Sequence, residues 1–264
     1  MPVKVAINGA AGRMGRRLVD LGCQDPDLEV CAALEHAEHP DLGKDAGAIC
    51  GIGEIAVPLS AEVSPHVEAV IDFSVPPAAE AITEVCRDQR IPLVIATTGL
   101  SDLQQQLIRD TAQKIPIVWA PSMSMAVNLT MKLSEIAAET LNDAPGGADV
   151  EIIERHHRFK QDAPSGTALR FGQLIAEKMH QKNHVHGREG QTGERAHEEI
   201  GYHALRVGDN PGEHTIVFGV LGETIELTVK ATNRDSYALG ALLAAKFVSH
   251  QKPGLYTMYD VLGL

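Results

Sequence analysis

Three glycines spaced G-x-x-G-x-x-G, Gly9, Gly12 and Gly15, stand where a β-branched run, Val3 to Asn8, meets an amphipathic stretch, Arg13 to Gly22. A strand that turns into a helix at bare glycines leaves backbone N–H groups and the positive end of the helix dipole facing one spot, which suits a dinucleotide pyrophosphate. The spacing is a variant of the usual G-x-G-x-x-G, and a plain tight turn would use the same glycines. The next strand narrows the choice. This second strand-like run, Leu28 to Leu34, ends at Glu35, 20 positions after Gly15. A carboxylate there can accept hydrogen bonds from adenosine ribose hydroxyls.

The alternation continues to about residue 125. Further strands are predicted at Ala69 to Phe73, Leu93 to Ala96 and Ile117 to Ala120, and helices at Ala78 to Gln89 and Asp102 to Lys114, with Ser101 as N-cap of the latter. Strands and helices in this order build βαβ units, so an α/β fold with a Rossmann-like, doubly wound parallel sheet is expected. From Val127 a helix to Leu141 leads into a Pro/Gly-rich break, Ala144 to Ala148, and the pattern changes. Strands at Val150 to Glu154, Ile200 to Arg206, Thr215 to Val220 and Thr224 to Ala231, with a helix at Ala168 to Gln181, predict an α+β domain with an open, mixed or largely antiparallel sheet. The last helix, Tyr237 to Ser249, is rich in Ala and Leu and is expected to return over the first domain.

Charge and composition exclude several classes. The formal net charge of -12 argues against nucleic acid or an anionic membrane as partner, because both would repel the molecule. No run reaches the roughly 18 uninterrupted apolar residues of a membrane helix, and Met1 to Gly12 has no signal-peptide pattern, so a cytoplasmic location is expected. Cys23, Cys31, Cys50 and Cys86 form no C-x-x-C pair and sit among apolar residues, as reduced, packed thiols do. Any anionic ligand therefore needs a local basic pocket.

Such a pocket is suggested by Glu154-Arg155-His156-His157-Arg158-Phe159-Lys160-Gln161-Asp162-Ala163-Pro164-Ser165-Gly166-Thr167. Adjacent histidines, two arginines and a lysine would neutralise carboxylates and offer a proton donor tunable near neutral pH. Ser165, Gly166 and Thr167 precede the next helix, where hydroxyls and bare N–H groups bind carboxylate. A solvated charge run is the plain alternative, and a two-histidine metal site would lack a third ligand at suitable spacing. Strand alternation puts Glu154 and His156 on one face and Arg155 and His157 on the other, so both histidines serve one site only if the strand ends there. Glu154 is then placed to orient His156.

At these residues the chain resembles the 4-hydroxy-tetrahydrodipicolinate (dihydrodipicolinate) reductase family of the diaminopimelate and lysine pathway. The likeness runs through the Gly9 to Gly15 loop, Ala33-Leu34-Glu35, Ile71-Asp72-Phe73-Ser74, Thr97-Thr98-Gly99, Asn128, the segment from Glu154 to Thr167, Arg188-Glu189-Gly190, Gly193-Glu194-Arg195 and Gly212-Glu213-His214-Thr215. The resemblance implies a dinucleotide domain at 1–127 completed by 234–264, and a substrate and tetramerisation domain at 128–233. It implies His156 as the proton donor or acceptor, Lys160 as a second proton donor and anchor, and His157, Lys160, Ser165, Gly166 and Thr167 as substrate ligands. Gly9, Ala10, Ala11, Gly12, Arg13, Met14, Glu35, His36, Ala96, Thr97, Thr98, Ala120, Pro121, Ser122 and Met123 would line the cofactor. The implied reaction is NAD(P)H-dependent reduction of a cyclic imine dicarboxylate, by a homotetramer and without a metal.

Three departures from the family pattern bear on the cofactor. His36 stands where many relatives carry Arg, Ala96-Thr97-Thr98-Gly99 replaces G-T-T-G, and Ala120-Pro121-Ser122-Met123-Ser124 has Pro and Ser where Ala and Asn are frequent. NADH and NADPH are both expected to serve, with NADH at least as good, because Glu35 repels a 2'-phosphate and His36 pairs with it less firmly than Arg. Other Rossmann enzymes, such as amino-acid or semialdehyde dehydrogenases, would need a different site in the second domain, typically a catalytic cysteine or a lysine and aspartate pair, and all four cysteines precede residue 87. A non-catalytic dinucleotide sensor would be expected to lack His156 or Lys160, and both are present.

Overall fold

The computed structural model describes residues 1–264. Two compact units emerge, Met1–Met125 with Arg234–Leu264, and Ala126–Asn233.

The first unit begins with β1 (Val3–Asn8), α1 (Arg13–Gln24), β2 (Leu28–Leu34), α2 (Ala46–Cys50), β3 (Leu59–Ser60), β4 (Ala69–Asp72), α3 (Pro76–Gln89), β5 (Leu93–Ile95), α4 (Asp102–Ala112) and β6 (Pro116–Trp119). All residues of β4 and β5 are buried, as parallel strands covered on both faces must be. Alternate residues feed two cores: Val5, Ile7, Ile71, Val94 and Val118 on one side, and Ala6, Val70, Leu93, Ile95 and Ile117 on the other. Against the first side α1 buries Leu18 and Val19. Ser101 caps α4 as expected, and it does so in a reciprocal box with Gln104.

The second unit follows α5 (Met125–Leu141) with β7 (Asp149–His156), α6 (Gly166–Met179), β8 (Asn183–His186), β9 (Glu199–Arg206), β10 (Glu213–Val220) and β11 (Glu223–Lys230). Its sheet runs β11-β10-β7-β9-β8. The β10–β11 and β7–β10 pairs are antiparallel, but β7–β9 and β8–β9 are parallel, so the sheet is evenly mixed rather than largely antiparallel. In the parallel half α6 carries the chain across between β7 and β8, and the connection 187–198 carries it across between β8 and β9. Val150, Ile152, Glu154 and His156 of β7 face inward with Phe218 and Ile216 of β10, and α6 adds Phe171 and Ile175 to the buried set. The opposite face leaves Ile153 and Leu205 exposed.

The chain then closes the first unit with α7 (Asp235–Val248), β12 (Gly254–Tyr256) and α8 (Met258–Leu262). Ala241, Leu242, Ala245 and Val248 of α7 enter the first core beside Val94 and Val118. Gly240 permits the approach: a Cβ there would lie 1.7 Å from the Met123 carbonyl oxygen. The complete sheet is seven-stranded and parallel, in the order β12-β6-β5-β4-β1-β2-β3. Its order reverses direction at β1, with β2 on one side and β4 on the other, so the crevice for a ligand lies beyond the carboxyl ends of β1 and β4.

Candidate active site

In the first unit the glycine loop joins β1 to α1. Gly9 has φ +79°, and a Cβ on it would stand 2.9 Å from the Phe73 carbonyl oxygen. At Gly15 a Cβ would overlap the Gly9 carbonyl oxygen at 2.1 Å, so backbone packs on backbone. Gly12 is the N-cap of α1 and no side chain caps this end. The first-turn N–H groups and the helix dipole thus remain available to a phosphate, and the loop fits a dinucleotide. Glu35 follows β2 and its Oε1 accepts from the Ala11 N–H at 3.1 Å, which holds the carboxylate beside the loop.

The other expected cofactor residues divide by exposure. Gly12, Arg13, His36, Thr98 and Pro121 are exposed, and Ala11, Met14 and Glu35 partly so. Gly9, Ala10, Ala96, Thr97, Ala120, Ser122 and Met123 are buried, so most of these can offer a ligand backbone rather than side chain. The reason for Thr97 is a residue assigned no role from the sequence. Fully buried Asp72, at the end of β4, accepts from Asn8 Nδ2 (2.7 Å), the Ser74 hydroxyl (2.5 Å) and the Thr97 hydroxyl (2.6 Å). Burial pushes its carboxyl pKa up although these three donors oppose the shift.

In the second unit β7 ends at His156, so His157 leaves the strand and escapes its alternation. Nδ1 of His156 lies 2.5 Å from Oε2 of Glu154, as the spacing suggested. Ser165 caps α6: its hydroxyl accepts from the Ala168 N–H (3.2 Å), and its own N–H donates to Oε1 of Glu154 (3.0 Å). Gly166 is exposed and Thr167 partly buried in the opening turn of the same helix. Lys160 donates to Asp162 Oδ1 at 2.8 Å, and the buried Nδ1 of His157 has no hydrogen-bond partner.

Two further residues join this cluster without a sequence signal for a role. Arg206 stands beside His156 in the β7–β9 register and donates to both oxygens of Glu154, each at 2.8 Å. His214 pairs with Glu154 in the β7–β10 register, and its Nε2 lies 3.1 Å from the Ser165 hydroxyl. Its ring meets that of His156 edge-on at 5.2 Å. Burial pushes the His214 pKa down to about 4, helped by the charge of a protonated His156. Burial also lowers the His156 pKa, against the upward pull of Glu154. For Glu154 burial would raise the pKa, but Arg206, His156 and the Ser165 N–H together hold it below the usual carboxylate range. Nowhere do three or more His, Cys, Asp or Glu side chains converge as a metal site would require.

Comparison with known proteins adds identity to this geometry. Family models described as dihydrodipicolinate reductase, N-terminus, and dihydrodipicolinate reductase, C-terminus, match residues 3–123 and 126–262. A 4-hydroxy-tetrahydrodipicolinate reductase of Rhodopirellula baltica is 57% identical over 100% of this chain and 97% of its own. One from Hahella chejuensis is 45% identical over 99% of both. Among solved structures, the dipicolinate-bound dihydrodipicolinate reductase from Paenisporosarcina sp. TG-14 covers 98% of this chain and 99% of its own, with TM-score 0.79 and 28% identity. An amine dehydrogenase from Mycobacterium smegmatis, 11% identical with TM-score 0.57, shares the fold alone.

Proposed function

The chain belongs to the dihydrodipicolinate reductase family and is an NAD(P)-type oxidoreductase of the reduction step in diaminopimelate and lysine biosynthesis; we propose that it reduces its cyclic imine dicarboxylate at the segment His156 to Thr167. A bound NAD(P)H supplies the hydride. The single observation that carries the assignment is the convergence of His156, Glu154, Arg206 and Ser165 at the start of α6.

The substrate class calls for two carboxylate sites, a stabiliser of negative charge and a proton source, and this unit supplies each. Backbone N–H groups of Gly166 and Thr167 at the α6 N-terminus take one carboxylate, assisted by the Ser165 hydroxyl. His157 and Lys160 take the other. Lys160 exchanges Asp162 for the substrate and also serves as a proton donor, and its charge draws electron density toward the ring nitrogen. His156 hands a proton from Nε2 to the carbon beside the reduced one. A relative with the same fold binds dipicolinate, a ring dicarboxylate, which supports this reading.

On the first unit, the first-turn N–H groups of Arg13 and Met14 and the α1 dipole hold the pyrophosphate, and Glu35 receives the adenosine ribose diol. Backbone at Ala96, Thr97, Thr98 and Ala120 to Met123 lines the nicotinamide end. The working form is a cytoplasmic homotetramer in which the face bearing Ile153 and Leu205 packs on other copies. Light scattering that finds a stable monomer at micromolar concentration removes that part. The central test is a reductase assay with freshly generated cyclic substrate and each cofactor: oxidation of NADH or NADPH that depends on substrate is expected. Its absence with both overturns the assignment.

A further inference from the structure

The carboxylate of Glu154 is 1% exposed and its hydrogen-bonding capacity is full. Oε1 accepts from Arg206 Nη2 and the Ser165 N–H, and Oε2 accepts from Arg206 Nη1 beside Nδ1 of His156. Guanidinium and backbone N–H groups only donate, so three of the roughly four acceptor sites of an ionised carboxylate are taken by obligate donors. The fourth contact, at 2.5 Å, requires the proton to sit on Nδ1 of His156. Nε2 then points away from Glu154, toward Gly212: a Cβ on Gly212 would reach it at 3.0 Å, so a side chain at 212 would crowd this nitrogen.

The charges around the ring decide whether Nε2 also carries a proton. Glu154 on the same strand is the nearby anion, and Arg206 from β9 cancels it with two hydrogen bonds. Lys160 adds a second cation, and His214 from β10 adds an uncharged ring. Lys160 is itself paired with Asp162 at 2.8 Å, so without ligand the charges around the ring roughly cancel, and burial leaves an imidazolium there poorly solvated. A substrate with two carboxylates tips this balance to negative.

We propose that Glu154 and Arg206 form a positioning pair that holds His156 with its proton on Nδ1 and a bare Nε2, so that the proton used in the reaction is taken up from water together with the dicarboxylate. This rests on the reading of His156 as proton donor. The balance is complete: a bound NAD(P)H would supply two electrons as a hydride to the conjugated C=C–C=N system. The displaced electron pair takes the proton from Nε2 at the neighbouring carbon, and the imidazolium returns to the neutral Nδ1–H form.

The test uses protein labelled with ¹⁵N at histidine, with the His156 signals assigned by their loss in His156→Gln. At pH 7 the free protein is expected to show a protonated Nδ1 and a bare Nε2, and addition of pyridine-2,6-dicarboxylate is expected to protonate both. Calorimetric titration with that compound in buffers of different ionisation heat should give uptake close to one proton per chain. Arg206→Gln frees the charge of Glu154 to hold an imidazolium, so Nε2 should be protonated before ligand is added and the uptake should vanish, whereas Arg206→Lys should restore both. If Arg206→Gln fails to fold, the native measurements still decide. A native His156 that is doubly protonated, or carries its single proton on Nε2, overturns the proposal, as does native binding without proton uptake. Full turnover by His156→Gln would instead overturn the donor role, leaving the measured tautomer intact.

Discussion

The hydroxyl of Thr97 donates to Oδ2 of Asp72 over 2.6 Å and accepts from the Ser74 N–H over 3.0 Å, so one buried carboxylate ties the loop after β5 to the end of β4. Thr97→Val keeps the shape but leaves Asp72 and the Ser74 N–H each short of a partner, and should cost about 1–3 kcal/mol of stability. Denaturant unfolding checks this, and an unchanged midpoint would mean that the network does not hold the loop.

His156→Gln should preserve the fold and cofactor binding while lowering kcat by about a hundredfold or more, the scale of general acid catalysis. In the native enzyme kcat/KM should fall as pH rises. That fall should centre below the ordinary histidine value, about 6.5, because burial lowers the pKa of His156 in the free protein. Unchanged turnover in the variant removes His156 from the reaction.

His214 makes stability depend on pH. Its folded pKa of about 4 lies below the unfolded value of a histidine, so the unfolded chain binds the extra proton first as pH falls. Its contribution is therefore fully present above pH about 6.5 and is lost progressively between that value and pH about 4, by at most about 3 kcal/mol. His214→Gln, which can still pair with the Ser165 hydroxyl, should flatten this part of the profile. Equal stability losses between pH 7.5 and 5 in both proteins would count against it.

Local pattern carried much of the fold into the sequence. β1 and β2 coincide with the runs read from Val3 to Asn8 and Leu28 to Leu34, because alternating or continuous β-branched residues are visible within one segment. β3 and β12 span two and three residues and α2 and α8 five each, too short for any period to register. β8, Asn-His-Val-His, is mostly exposed and lacks an apolar face. For the site, adjacency in sequence disclosed Glu154, His156 and Ser165. Arg206 and His214 reach them only through strand register, a pairing of distant segments that no local pattern encodes.

Cofactor preference turns on the same limit, since it depends on what surrounds one carboxylate. Glu35 is pinned by the Ala11 N–H, so it cannot simply swing away from the ribose pocket to admit a 2'-phosphate. That phosphate would face the charge of Glu35, and the nearest compensation comes from His36, which meets His39 edge-on at 5.3 Å, and from Arg13 and Arg16. Arg16 is committed through Nε to the Ala11 carbonyl at 2.8 Å, and Arg13 is exposed. A histidine lacks the bidentate fork of an arginine. Both cofactors should therefore work, NADH at least as well as NADPH. Measuring kcat/KM for each between pH 6 and 8.5 decides it. A preference for NADPH above about tenfold at pH 8, equivalent to about 1.4 kcal/mol, would mean that Arg13 and Arg16 outweigh Glu35.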